Sequence, residues 1–446
     1  MTKLKAPALA LAALLALAAL LGFAAPVLAQ GAGQTGHGSQ ILLSLFIVFV
    51  SAQFGAEASS RLKLPAVVGE IAAGVLVGPG ALGWVEVNEP LQVLAEIGAV
   101  LLLFSVGLET RVGDLKKVGR VALQVGTLGL ILPFVLGALW ALAAGFAPAK
   151  LLFIAAAFVA TSAGITARVL GELGVLARVE SRVILGAAVI DDILAMLLLG
   201  IVTALAGGGR VDVAQLGLVF GQAVGFVALI AFVGTRLSAR RGSAILDGPI
   251  SAHSPLTVSL ALCLGLAALA ARLGLAAIIG AFLAGMVAAE TRQRQQLERQ
   301  MQVIMAFLVP FFFVVTGAQV QLGALGSASA LCTLAFITLL AVVGKLLGCG
   351  LGARSLGMRS ALIVGVGMVP RGEVGIIVAS LGRSSKVFSD EVFALIIAMS
   401  LLTSIIAPPV LKLLFARLPR GGDDANAEAE HSLLSGVDEA GHGLAS

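Results

Sequence analysis

Charge is scarce in this sequence, and so are the side chains that build metal and redox centres. Of 446 residues only 12% are charged, while 59% are hydrophobic. Soluble domains run nearer about 25% charged and about 45–50% apolar, so an ordinary water-soluble domain is excluded. The three cysteines, Cys263, Cys332 and Cys349, fall inside apolar runs without ligand spacing and read as small membrane-buried hydrophobes. The four histidines, His37, His253, His431 and His442, lie in the termini or a loop, which argues against a His-built metal site. The basic residues are scattered through short loops rather than gathered in a patch, so no nucleic-acid partner is expected. Three motifs are missing as well: GxGD, TVGYG, and a GxGxxG that leads into a strand and helix. Their absence removes the local signs of an intramembrane aspartyl protease, a potassium-channel filter and a nucleotide-binding fold. No cofactor is implied.

What is present is a succession of apolar runs, each about twenty residues long, the signature of an all-α polytopic membrane protein. Residues 1–29 form a separate case, with two lysines, an Ala/Leu core and a small-residue end at Val27-Leu28-Ala29. That is the pattern of a signal peptide cleaved after Ala29. Residues 30–39 then form a short external tail, and the acidic, small-residue-rich 417–446 a disordered cytoplasmic tail. Between them, hydropathy and charge breaks give about thirteen spans: 40–59, 65–80, 90–108, 120–145, 150–171, 182–206, 212–236, 255–272, 275–290, 301–318, 324–350, 359–381 and 391–416. With the mature N-terminus outside, the outer loops hold only Lys150, Arg210, Arg272, Arg383 and Lys386 of the 29 Lys and Arg. Most of the others fall in inner loops, so the basic asymmetry places the C-terminus in the cytoplasm.

A few ionisable residues sit at membrane depth: Asp191 and Asp192 in the sixth span, Lys345 in the eleventh, and Arg371 and Glu373 in the twelfth. Glu70, Glu96 and Arg168 occupy the second, third and fifth, Arg168 near an end where it can snorkel. An acid at the centre of a spanning helix costs roughly 2.5–3.5 kcal/mol on the insertion scale. Such groups pair with one another or face a water-filled transport path. Arg371 and Glu373 could pair together, and Lys345 could serve one aspartate as a structural counter-ion. A second, adjacent aspartate has no such structural need. Residues i and i+1 on a helix point about 100° apart, so one acid can meet a lysine while the other faces an aqueous cavity. There it can hold a proton or a hard monovalent cation. A protease dyad needs two carboxyls facing each other from two helices, which this arrangement does not supply.

Two spans read as broken. In FVATSAGITARVLGELG (158–174), Thr161, Ser162, Gly164 and Thr166 cluster at mid-membrane. In VGVGMVPRGEVGIIVAS (364–380), Pro370 follows Gly365 and Gly367 and precedes Gly372 and Gly375. Proline removes a helical hydrogen bond and glycine permits unwinding, which is tolerated at membrane depth where the backbone is buried or lines a cavity. The two spans are seven apart and so cross the membrane in opposite senses. Paired interrupted helices in inverted halves point to a secondary transporter's binding site.

These residues resemble the monovalent cation:proton antiporter superfamily, in particular its Kef-type, electrogenic branch. The resemblance rests on LPAVVGEIAAGVLVGPGALG (64–83), FVATSAGITARVL (158–170), VIDDILAMLLL (189–199), GAFLAGMVAA (280–289), VVGKLLGCGLGAR (342–354) and VPRGEVGIIVAS (369–380). It implies a sodium/proton antiporter fold of inverted repeats with two crossing discontinuous helices. It further implies a core of 120–206 and 324–416, a dimer scaffold of 40–108 and 255–318, and a linker helix at 212–236. Asp192 would then carry the cation or proton, Asp191 would partner Lys345, and Thr161 and Ser162 would help coordinate the ion. Glu373 and Arg371 would be the charges after the second break. The DD pair matches electrogenic exchange, since electroneutral relatives carry Asn before Asp. The implied protein is a homodimer in the inner membrane that exchanges Na⁺ or K⁺ for H⁺. With no nucleotide-binding pattern following the last span, gating of that kind would need a separate cytosolic regulatory subunit. The remaining alternative is a Kef-like potassium efflux pathway of channel-like character, gated by such a subunit.

Overall fold

The computed structural model describes residues 37–110, 118–206, 213–239, 255–291, 293–320 and 327–417. Their regular structure is helical: α1 His37–Arg61, α2 Ala66–Val77, α3 Glu89–Glu109, α4 Gly119–Ala143, α5 Pro148–Val159, α6 Ala163–Glu172, α7 Val179–Ala206, α8 Val213–Ala239, α9 Pro255–Arg272, α10 Ala277–Ala289, α11 Arg294–Ala318, α12 Ala328–Gly352, α13 Met358–Gly367, α14 Glu373–Ser384 and α15 Asp390–Ala416. Each predicted span overlaps a helix. Among the described residues, nine segments are long and apolar enough to cross a membrane, with α5 and α6 taken together as one of them. The proposed signal segment 1–29 lies outside the described residues, as does all of the predicted tail after Arg417. Of the predicted external tail, 37–39 already belong to α1.

Local chemistry accounts for several helix ends. Pro148 opens α5, where its missing N–H and fixed φ suit the first turn. Ser327 and Ser389 cap α12 and α15, accepting from Ala330 N at 3.1 Å and Val392 N at 3.4 Å. Asp390 and Glu391 then sit in the first turn of α15, where the helix dipole favours acids.

By compactness the chain divides into two units. The smaller comprises residues up to Glu96 and Pro310–Val320. Its core gathers Val48, Ala52, Val77, Val85, Leu91 and Phe311. There α1 and α2 approach so closely that a Cβ on Gly55 would stand 2.1 Å from the Gly69 carbonyl oxygen, so only glycine fits. Glu70 is buried in this unit, whereas Glu96 at its boundary is exposed.

The larger unit comprises Ile97–Val309 and the chain from Gln321 onward, and so holds all of the expected core. In it α4 packs along α12, α7 and α5, while α12 also meets α13 and α15. A Cβ on Gly348 of α12 would lie 2.5 Å from the Leu128 carbonyl oxygen of α4, so these helices touch backbone to backbone. Their outer faces expose Leu123, Ile131 and Leu139 on α4, and Phe336, Leu339 and Leu347 on α12. Apolar surface on that scale is suited to lipid rather than to water. Cys263 and Cys349 are buried, and Cys332 is exposed on α12, whose apolar outer face suits lipid.

Candidate ion-binding site at two broken helices

Both predicted breaks are present, and they meet. The α5 helix ends at Val159, after which Ala160 (ψ 135°) and Ser162 (ψ 101°) are extended before α6 begins. The α13 helix ends at Gly367, and helix resumes only at Glu373. Pro370 explains the second interruption: it has no N–H to give, and it biases Val369 away from helical angles.

Unwinding leaves carbonyls without helical donors, and the structure supplies other donors. Gly367 O accepts from Thr166 Oγ1 at 2.7 Å, and Pro370 O accepts from Ser162 N at 2.7 Å. The hydroxyl of Ser404, from α15, donates to Arg371 O. The buried guanidinium of Arg371 reaches three further carbonyls: Phe158 O at 2.5 Å, Ala341 O at 3.2 Å and Val369 O at 3.2 Å. Phe158 lies in the last turn of α5, so a positive group stands where that half-helix presents its negative end. Its described contacts are thus with backbone, while the side chain of Glu373 lies outside the described ones. Ser162 Oγ points at Gly372, where a Cβ would come within 2.6 Å. Thr161 is buried beside it, its hydroxyl 3.5 Å from Val159 O.

The adjacent aspartates of α7 have different surroundings. Lys345 Nζ donates to both Asp191 oxygens, at 3.0 and 3.1 Å, and both side chains are 0% exposed. Asp192 retains 5% exposure and lines a small crevice with Ala163 of α6, Leu185 and Val189 of α7, Leu103 of α3, and Ile278 and Phe282 of α10. The crevice holds about 10 Å³, room for a single water-sized guest. One acid is therefore neutralised by a buried ammonium, and the other borders an apolar crevice whose wall begins beside Ser162. A carboxylate so placed can hold a proton or an oxygen-seeking monovalent cation. Arg168 lies apart from this group and pairs with Glu172 at 2.8 Å.

Sequence reasoning did not single out Ser404. Its signal lay in the hydroxyls of MSLLTSIIAPP (399–409), an unusual cluster for a spanning helix.

Comparison with known proteins agrees with this architecture. The family described as "Sodium/hydrogen exchanger, transmembrane" matches residues 49–417. The chain is 34% identical to the Na⁺/H⁺-K⁺ antiporter GerN of Bacillus cereus, over 84% of this chain and 96% of that protein. It is also 34% identical to the high-affinity Na⁺/H⁺ antiporter NhaS3 of a Synechocystis strain, over 84% of this chain and 90% of the other. Among solved structures, the sodium proton antiporter MjNhaP1 of Methanocaldococcus jannaschii shares the fold with a TM-score of 0.59, at 15% identity, over 89% of this chain and 99% of that one. A multi-pass helical chain with two interrupted helices meeting beside a buried Asp–Asp–Lys group, and a family match along most of its length, belongs to the sodium/hydrogen exchanger family of cation:proton antiporters.

Proposed function

We propose that this protein exchanges a monovalent cation, Na⁺ or K⁺, for protons by alternating access, with Asp192 as the shared binding group. The observation that carries the reading is the division of labour on α7. Asp191 is held by Lys345, which leaves Asp192 at the crevice beside the helix breaks. A carboxylate that binds either a proton or a cation, but not both, makes the two fluxes opposed and coupled. Thr161 and Ser162 supply oxygen at the first break, while Arg371 and Glu373 are the charged residues of the second. The names of the relatives, sodium/proton in both and potassium in one, support Na⁺ or K⁺ as cargo.

Exchange is electrogenic in this reading. Lys345 gives up its proton when a cation draws Asp191 away, so net charge crosses in each cycle. The core of 120–206 and 324–416 moves against a scaffold of 40–108 and 255–318, joined by the 212–236 helix, in an inner-membrane homodimer. The mature N-terminus is outside and the C-terminus cytoplasmic, as the basic-loop asymmetry directs.

The test is proton movement in energised inverted vesicles on separate addition of Na⁺, Li⁺ or K⁺, with Asp192→Ala beside the unaltered protein. Movement that follows a cation and vanishes in the variant supports the reading. Silence with all three, from protein shown to be folded and inserted, rejects it.

A further inference from the structure

The last described helix, α15, carries three buried hydroxyls within two turns: Ser400, Thr403 and Ser404. Two of them serve their own helix in the ordinary way. Thr403 Oγ1 donates to Ser400 O at 2.8 Å, and Ser404 Oγ stands 2.9 Å from the same carbonyl. Ser404 differs in having a second acceptor, Arg371 O, in the unwound segment of the second break. A hydroxyl has one proton to give. Ser404 can therefore donate either to the break or back to its own helix, and both acceptors are already in place. Because Thr403 also serves Ser400 O, that carbonyl keeps a donor when the Ser404 proton is turned towards Arg371.

The Arg371 carbonyl is one residue from Pro370 O, which accepts from Ser162 N. Ser162 precedes Ala163, which lines the crevice with Asp192. A continuous chain of contacts thus runs from α15 through the second break to the first break and the candidate ion site. The Ser400 hydroxyl, which has no hydrogen-bond partner among the described residues, would stand 2.8 Å from a Cβ placed on Gly375, in the first turn of α14.

We infer that Ser404 is a positioning residue: its hydroxyl anchors the second helix break to α15 and so holds the first break in its cation-binding geometry. Turning the proton to Ser400 O would take this donor from a buried carbonyl, while Ser400 O already accepts from Thr403, so the anchored arrangement is the favoured one. This inference rests on the proposed antiport at Asp192.

The test compares the unaltered protein with Ser404→Ala, Ser404→Thr and Thr403→Ala in proteoliposomes. The readouts are the apparent KM for the driving cation, the maximal rate, and the thermal midpoint of the purified protein. Loss of the anchor should raise KM roughly three- to tenfold in Ser404→Ala, the range set by one hydrogen bond, with a much smaller change in maximal rate. Ser404→Thr, which keeps the hydroxyl, should recover most of the KM. Thr403→Ala removes a hydroxyl of the same turn that does not itself reach the break, and it should change KM much less than Ser404→Ala does. An unchanged KM in Ser404→Ala overturns the inference while antiport stands. So do equal KM changes in Ser404→Ala and Thr403→Ala, which mark general loosening of α15. If the unaltered protein moves no protons in response to any cation, the antiport reading and the inference fail together.

Discussion

Lys345 and Asp191 are 154 residues apart in sequence and fully buried, yet they lie within hydrogen-bonding distance. Removing one partner of such a pair leaves a charge without compensation in a medium that cannot solvate it, at a cost of about 3–5 kcal/mol. Replacing both with apolar groups costs much less, because no unmatched charge remains. Lys345→Met alone should therefore lower the thermal-denaturation midpoint more than Lys345→Met combined with Asp191→Leu. If the two single losses simply add in the double variant, the pair contributes no coupling. Asp192→Ala differs in kind. It removes the crevice-lining acid proposed to carry the ion, so it should abolish cation-driven proton movement in protein shown to be folded and inserted.

At the scale of an element, the two breaks depend on close approach as much as on proline. Gly372 stands against the Ser162 hydroxyl, with the Ser162 Cβ 2.9 Å from where its own Cβ would be. Gly372→Ala forces those two segments apart at the junction where Ser162 N meets Pro370 O. Overpacking of this kind costs about 1–3 kcal/mol, and the expected result is a lowered midpoint together with lowered transport. Gly265→Ala on α9 is the contrasting case, since a Cβ there meets nothing within 4 Å. Alanine gains about 0.5–1 kcal/mol over glycine inside a helix, so this variant should be as stable as the parent or slightly more so. Equal losses in both variants would show that the crowding at Gly372 is not what matters. The midpoints of the purified variants decide between these outcomes.

For the whole molecule, the consequence that separates electrogenic from electroneutral exchange is the response to voltage. Each elementary charge moved across the membrane is worth about 2.3 kcal/mol per 100 mV. If the Lys345 proton crosses unmatched, cation-driven proton movement in proteoliposomes should rise several-fold when a gradient of a lipophilic ion that is not a cargo sets a favourable potential. It should fall when the gradient is reversed. A rate indifferent to the imposed potential would reject the electrogenic reading and leave the coupled exchange itself intact.

Much of the architecture was legible in the residues because a bilayer imposes local rules. Backbone polar groups must be satisfied within each spanning segment, and the transfer cost of charge is felt residue by residue. Runs of apolar residues therefore mark the helices, and Pro370 with its flanking glycines marks a break, without knowledge of the neighbours. The acids and Lys345 stood out because so few charges share their depth. Composition could not say which of two adjacent aspartates meets the lysine, since a helix merely turns them about 100° apart. Packing of α7 against α4, α5 and α13, and the course of α12, decided that. Nor could the residues reveal that Arg371 would turn to the carbonyls of Phe158, Ala341 and Val369, or that Ser404 would reach the carbonyl of Arg371. Those partners come from distant parts of the chain. Directional hydrogen bonds form only after the helices have settled into register, so the donor's identity alone does not name its acceptor.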